Sequence, residues 1–216
     1  MKKGKHVILT LVLALAFLVT DLAAAPATAY AAGKPFVSKS FAMMKGEESG
    51  YGVVNSVRSD KILKLKSSNT NVVTVKKSPF IDDWTIQVNA KKTGSSTVTF
   101  KLKRKSGKVY TFKTKIRVYN YTNPVSKCSI GKTDYTKELN KKYMIALGEG
   151  NVQKGKINIS MKKGYKLTGL YLCEHGTGKA KKIKNGSSIT LDANYYVQVI
   201  YKNTSKNYSY ALYLGI

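Results

Sequence analysis

Val98-Thr99-Phe100-Lys101-Leu102-Lys103 alternates apolar and polar residues, and Phe112-Lys113-Thr114-Lys115-Ile116-Arg117-Val118-Tyr119 repeats the alternation a few residues later. Successive side chains of a strand point to opposite faces, so a period of two marks half-buried β-strands. Val98, Phe100, Leu102, Phe112, Ile116 and Val118 belong inside; Thr99, Lys101, Lys103, Lys113, Lys115, Arg117 and Tyr119 belong outside. Working outward from this pair, short runs rich in Val, Ile, Thr, Phe and Tyr recur between clusters of Gly, Asn, Ser and Asp. They predict strands over 36–44, 51–57, 62–66, 72–76, 84–90, 96–103 and 109–119. Strands this short, this evenly spaced and without a sustained helical period predict an Ig-like β-sandwich.

Asn120-Tyr121-Thr122-Asn123-Pro124 interrupts the pattern, because Pro124 donates no backbone hydrogen bond and its neighbours favour turns. Strands resume over 156–161, 166–173, 188–192, 195–202 and 208–214, with turns at Gly176-Thr177-Gly178 and Asn185-Gly186 and a terminal hairpin through Asn203 to Asn207. Lys137 to Leu147 is ambiguous, with room for a single helical turn. The fold class predicted is all-β: one Ig-like domain over 33–123 and a second β-sandwich over 125–216.

The first 31 residues read differently. A basic Met1-Lys2-Lys3-Gly4-Lys5-His6 precedes an apolar run from Val7 to Thr20 and a small-residue stretch, Ala27-Thr28-Ala29-Tyr30-Ala31-Ala32. This is the pattern of a secretory signal peptide, and the apolar run is shorter than the ~18 residues a spanning helix needs. The sequence therefore predicts a secreted or cell-envelope protein, outside the cytoplasm, with no integral membrane segment and a mature chain starting near Ala32.

The formal charge is +27, from 38 Lys and Arg against 11 Asp and Glu. The excess lies in both halves of the chain and favours association with polyanions such as wall teichoic acids, anionic lipid surfaces or acidic glycans. Its strand parity concentrates it. With Leu63 and Leu65 inside, Lys64 and Lys66 join Lys101, Lys103, Lys113, Lys115 and Arg117 on one outer face, because these strands are neighbours in Ig sandwiches. Arg104, Lys105 and Lys108 extend that face to the hairpin tip. Like charges opposed on adjacent strands cost a few tenths to ~1 kcal/mol per pair, so a bound polyanion is one explanation; solubility and edge protection are the other.

Lys66-Ser67-Ser68-Asn69-Thr70-Asn71-Val72-Val73-Thr74-Val75, followed by Ile86 to Phe100 with its Thr93-Gly94, resembles the group 2 bacterial Ig-like domain of intimin- and invasin-type surface proteins. The resemblance spans about residues 36–120. Residues 50–60 fit it poorly, and Trp84 stands where a simple glycine-rich turn is more usual. It implies a stalk, spacer or adhesive module with no catalytic residues, and a host or envelope protein as a further class of partner.

Cys128 and Cys173 are the only cysteines, and in an exported chain they are expected to form a disulfide. Cys173-Glu174-His175 is also the one arrangement suggesting a thiol-dependent enzyme. His175 is the only histidine outside the leader, and a catalytic pair requires spatial placement, so the expectation is no catalysis, no metal and no cofactor. Asp82-Asp83 lacks the further oxygens a calcium ion takes. Tyr195, Tyr196, Tyr201, Tyr208, Tyr210 and Tyr213 make a tyrosine-rich terminal hairpin, which supports carbohydrate binding as the alternative function. Nucleic acid is disfavoured as a partner, because no recognition motif accompanies the basic charge.

Overall fold

The computed structural model describes residues 33–57, 59–77, 85–148 and 150–216. The leader, Asp82, Asp83 and Trp84 lie outside the described residues. The chain divides into two compact units, the second beginning at Asn120. Among the described residues the regular structure is β, apart from one 3₁₀ turn, and no helix is long and apolar enough to cross a membrane.

Among the described residues the first unit has seven strands: β1 (Ser40–Met44), β2 (Glu48–Gly52), β3 (Lys61–Ser67), β4 (Val73–Lys77), β5 (Thr85–Ala90), β6 (Gly94–Lys103) and β7 (Val109–Tyr119). One sheet has the order β1-β7-β6-β3 and the other β2-β5-β4. These are the two sheet orders of an Ig sandwich, with the first strand running parallel to β7 instead of joining the second sheet. Ile62, Ile86, Val88, Val98, Phe100, Leu102, Ile116 and Val118 fill the space between the sheets. Phe100 meets Phe112 at 5.3 Å between ring centroids.

The segment that resembles the bacterial domain has a clear structural use. Ser96, buried on β6, receives the turn after β3: its hydroxyl lies 2.7 Å from the Ser67 hydroxyl and 3.3 Å from that of Ser68, and it accepts the Asn69 amide at 3.0 Å. The Ser68 hydroxyl in turn accepts the Thr97 amide at 2.8 Å. Small hydroxyl side chains are required there, because each must reach a backbone group across a tight turn.

Two expectations need correction. The second strand runs over Glu48–Gly52, not 51–57: Val53 turns into the core, Val54 makes only an isolated bridge to Phe36, and Asn55 has φ 60°. In β3 the register shifts between Leu63 and Lys66, with Lys64 at φ 53°. This bulge reverses parity within the strand. Ile62 is buried and Leu63 is 38% exposed, while Leu65 packs against the core after the bulge. Leu63, expected inside, lies outside because an extra residue shifts every side chain before it by one face.

The second unit contains β8 (Val125–Ile130), β9 (Thr133–Asp134), β10 (Met144–Ile145), β11 (Gln153–Met161), β12 (Tyr165–Glu174), β13 (Ala180–Lys182), β14 (Ser188–Leu191), β15 (Tyr195–Asn203) and β16 (Tyr208–Leu214). They form the sheets β14-β11-β8-β9 and β10-β16-β15-β12-β13. The ambiguous stretch holds the 3₁₀ turn, Glu138–Asn140, whose Leu139 is fully buried and whose Leu139 carbonyl accepts the Tyr121 hydroxyl at 2.6 Å. Gly131 and Gly155 let two backbones meet: a Cβ on Gly155 would lie 2.5 Å from the Gly131 Cα.

Candidate polyanion-binding face

Strands β7, β6 and β3 are adjacent, so their outward residues share one surface. On β6 these are Ser95, Thr97, Thr99, Lys101 and Lys103; on β7 they are Val109, Thr111, Lys113, Lys115 and Arg117. Lys61, Leu63 and Lys66 come from β3, and Lys64 is exposed within the bulge. Lys64, Lys66, Lys101, Lys103, Lys113, Lys115 and Arg117 are thus brought together, with Lys61 added. No carboxylate stands among these residues. Lys101 is half-buried and the other cations are exposed.

The pairing register refines the charge argument. Lys113 faces Thr99, Lys115 faces Thr97, Arg117 faces Ser95 and Lys101 faces Thr111. Lys66 faces Thr99 from the other side, and only Lys61 opposes another cation, Lys103. The expected cost of directly opposed like charges therefore falls on a single pair. Strand register sets this stagger, and no single strand reveals it.

Arg104 is not available to a ligand in the way its place at the hairpin tip suggests. Its Nη1 lies 3.2 Å from Oδ2 of Asp60, a carboxylate with no solvent exposure. Its Nη2 donates to the carbonyls of Gly33 and Asn55 at 3.2 and 2.8 Å. Asp60 also accepts the Val57 amide at 3.0 Å. Arg104 thus pins the start of the domain and the β2–β3 connection to the β6–β7 hairpin. Lys108 stands over the Tyr110 ring at 5.4 Å.

The expected disulfide is absent: Cys128 and Cys173 are both free, buried thiols. Cys128 pairs with Ile159 on β11 and faces the core. Cys173 alternates with Leu170 and Leu172, whose partners Val199 and Val197 are core residues, so it occupies the outer face of the opposite sheet. Sheets pack about 10 Å apart, and a disulfide needs Cα atoms within ~7 Å and converging Cβ vectors. Burial pushes the Cys128 thiol up to about 12, helped by the Asp134 charge. Burial also raises Cys173, offset in part by its hydrogen bond with Tyr196. Nucleophilic cysteines are shifted the other way. His175 contacts the Gly215 carbonyl through Nε2 at 3.2 Å and packs on Tyr196 at 4.9 Å.

The tyrosine-rich hairpin is largely internal. Tyr201 is fully buried, Tyr208 and Tyr213 nearly so, and Tyr201 packs edge-on to Tyr165 and Tyr210. Only Tyr195 of the six is exposed.

No protein-family model matches the chain, and no curated protein matches it. Among solved structures, the tandem Ig repeats of Dlar overlap 84% of this chain and 96% of their own at 8% identity, with a TM-score of 0.41. Domains 5–6 of the S-layer protein SbsC overlap 84% and 99% at 15% identity and a TM-score of 0.32. Fibronectin(III)-like modules of Clostridium thermocellum CbhA overlap 85% and 94% at 11% identity, also with a TM-score of 0.32. Likeness this distant carries nothing about function. The class, an Ig-like all-β protein, rests on the strand orders of the molecule itself.

Proposed function

We propose that this protein is a non-catalytic, extracytoplasmic Ig-like module that associates with a cell-wall or other surface polyanion through the outer face of β3, β6 and β7. The observation that supports this reading is the convergence of Lys64, Lys66, Lys101, Lys103, Lys113, Lys115 and Arg117 on one face without a carboxylate between them. The leader-like first 31 residues and the resemblance to bacterial surface Ig domains favour the same compartment. The carbohydrate alternative loses support, because the tyrosines it relied on mostly pack inside the second unit.

The test is sedimentation with purified bacterial walls across a salt series. Attraction between surface charges is screened over about 8 Å at physiological ionic strength, so retention should fall steeply as salt rises. The variant K101Q/K103Q/K113Q/K115Q should lose retention while staying folded, since exposed substitutions usually shift stability by less than about 0.5 kcal/mol each. The control changes four exposed lysines of the second unit: Lys162, Lys163, Lys181 and Lys184. Equal loss in the control would leave net charge as the whole explanation, and salt-independent retention of the first variant would refute the basic face.

A further inference from the structure

The basic face is not uniform, and its two halves differ in chemistry. Around Lys101 and Lys103 the neighbours include Leu63 and Val109, both exposed apolar side chains, and the opposed cation Lys61. Along β7 the arrangement is regular. Lys113, Lys115 and Arg117 occupy alternate positions of one strand, which spaces them by about 6.8 Å at ~3.4 Å rise per residue. Each faces a hydroxyl on β6: Thr99, Thr97 and Ser95 in turn. On the other flank Lys115 faces Ser40 and Arg117 faces Ala42 on β1. Among the described residues the Thr97 and Thr99 hydroxyls have no protein partner, and both side chains are partly exposed.

A cation beside a hydroxyl donor matches a phosphodiester, whose two free oxygens share one negative charge and accept from both groups. Repeating the pair three times along a straight strand matches a linear polymer with one such charge per repeat. We infer that β7 is a binding rail for an extended poly(alditol phosphate) chain, with Lys113–Thr99, Lys115–Thr97 and Arg117–Ser95 each holding one phosphodiester. The inference rests on the polyanion reading of the same face and narrows its ligand and its place.

Spacing selects within the polyanions. A six-bond repeat such as glycerol phosphate spans about 7 Å when extended, at the ~1.2 Å per bond implied by an extended polypeptide. Inorganic polyphosphate puts a charge on every second bond, about 2.4 Å apart, and overfills the rail. Single-stranded nucleic acid shares the longer repeat, but its proteins supply aromatic rings for the bases to stack on. Here hydroxyls, not rings, face the cations; Tyr119 is the one aromatic residue of this parity on β7, beyond Arg117 at the strand end.

The test uses the purified protein with three probes: a synthetic poly(glycerol phosphate) oligomer, a DNA single strand of equal charge and inorganic polyphosphate. Affinity is measured for each by fluorescence anisotropy from about 50 to about 200 mM salt. Each phosphate contact on a flexible strand contributes about 0.7 to the slope of log K against log salt, so the rail predicts a slope of about −2 for the glycerol phosphate oligomer. K113Q/K115Q/R117Q should lose about tenfold or more in affinity and most of that slope, whereas K101Q/K103Q should lose less than about threefold. T97V/T99V preserves shape and removes no charge, so it should weaken binding by about threefold to tenfold, the worth of one or two hydrogen bonds, with the slope unchanged. Circular dichroism verifies that each variant is folded. Equal losses in the triple and double charge variants would overturn the rail and leave the whole-face reading standing. So would an unaffected T97V/T99V, or tighter binding of DNA or polyphosphate than of the glycerol phosphate oligomer. Absence of wild-type binding to all three probes would overturn both readings.

Discussion

Replacing Arg104 by Met removes the guanidinium but keeps much of the packing of its stem, and it strands Asp60. The carboxylate of Asp60 has no solvent exposure, so water cannot take the place of Arg104, and its remaining partner is the Val57 amide. Its Oδ1 already lacks a partner among the described residues. Breaking a buried ion pair from the side that leaves an uncompensated charge costs about 3–5 kcal/mol. The reverse change, D60N, has a different balance. Arg104 is 16% exposed and still donates to the carbonyls of Gly33 and Asn55, so it keeps partners and access to water. Asn also retains an oxygen for the Val57 amide, and the loss should be about 1–2 kcal/mol, one charge-assisted hydrogen bond in a partly wet site. The double variant R104M/D60N should therefore be more stable than R104M alone, by about 1 kcal/mol or more, because it removes the stranded charge. Urea unfolding at neutral pH measures all three. Far-ultraviolet circular dichroism follows the transition across the urea series. A cost below about 1 kcal/mol for R104M would place the pair with ordinary exposed ion pairs and refute the desolvation argument. So would equal losses in the two single variants.

Ser96→Ala should cost the first unit about 1–2 kcal/mol, because it takes away the acceptor of the Asn69 amide and the partner of the Ser67 hydroxyl; Ser67→Ala, which leaves the Ser96–Asn69 bond in place, should cost under about 1 kcal/mol by the same unfolding measurement. Stability should also decline in alkali. The Cys128 thiol is raised to about 12 in the fold, against about 8.5 in an unfolded chain, so its contribution is complete below pH 8.5 and lost as pH rises toward 12. The decline should approach ~1.4 kcal/mol per pH unit for this thiol, with a smaller share from Cys173. Denaturant unfolding followed by far-ultraviolet circular dichroism at pH 7, 9 and 10 checks this: Cys128→Ala should reduce the decline and the double Cys→Ala variant should reduce it further, the remainder near pH 10 coming from Tyr51, Tyr121, Tyr135 and Tyr196, which burial also raises, while a wild-type stability flat to pH 10 would contradict the shift.

The alternation of residues 98–103 and 112–119 was enough to read two strands, their inner faces and the cations on their outer faces, because a regular strand obeys a period of two. The same rule failed at Leu63. A bulge is invisible to it, and a lysine at positive φ gives no compositional hint of the kind a glycine would. Strands of two or three residues, β9, β10 and β13, are too short for any period to show. Arg104 reads from sequence as a hairpin-tip cation, and nothing there marks Asp60 as its partner, since only the closed sandwich brings them within 3.2 Å. Compartment and cysteine count favoured a disulfide, but they carry no information about which face of which sheet each cysteine occupies. The threonines opposite Lys101, Lys113 and Lys115 were present in the sequence all along; their meaning depends on register, which is a property of a strand pair.

That register bears on what the charges are for. Opposed like charges would have argued for a bound polyanion as compensation, and the stagger of Lys against Thr and Ser weakens this argument to the single pair Lys61 and Lys103. Edge protection is the competing account, and it makes a positional demand: guarding lysines belong on strands whose backbone groups lack a neighbour. The sheet order β1-β7-β6-β3 satisfies that demand for Lys61, Lys64 and Lys66, which lie on the edge strand β3. It does not for Lys101, Lys103, Lys115 and Arg117, which lie where β6 and β7 are paired on both sides, whereas Lys113 precedes the start of the β1 pairing at Lys115. Four cations at doubly paired positions protect no edge, and solubility alone sets no condition on their placement. In the ordered row on β7, each cation opposite a hydroxyl on β6, edge protection can account for Lys113 alone; Lys115 and Arg117 it leaves unexplained, and an extended phosphodiester chain accounts for all three.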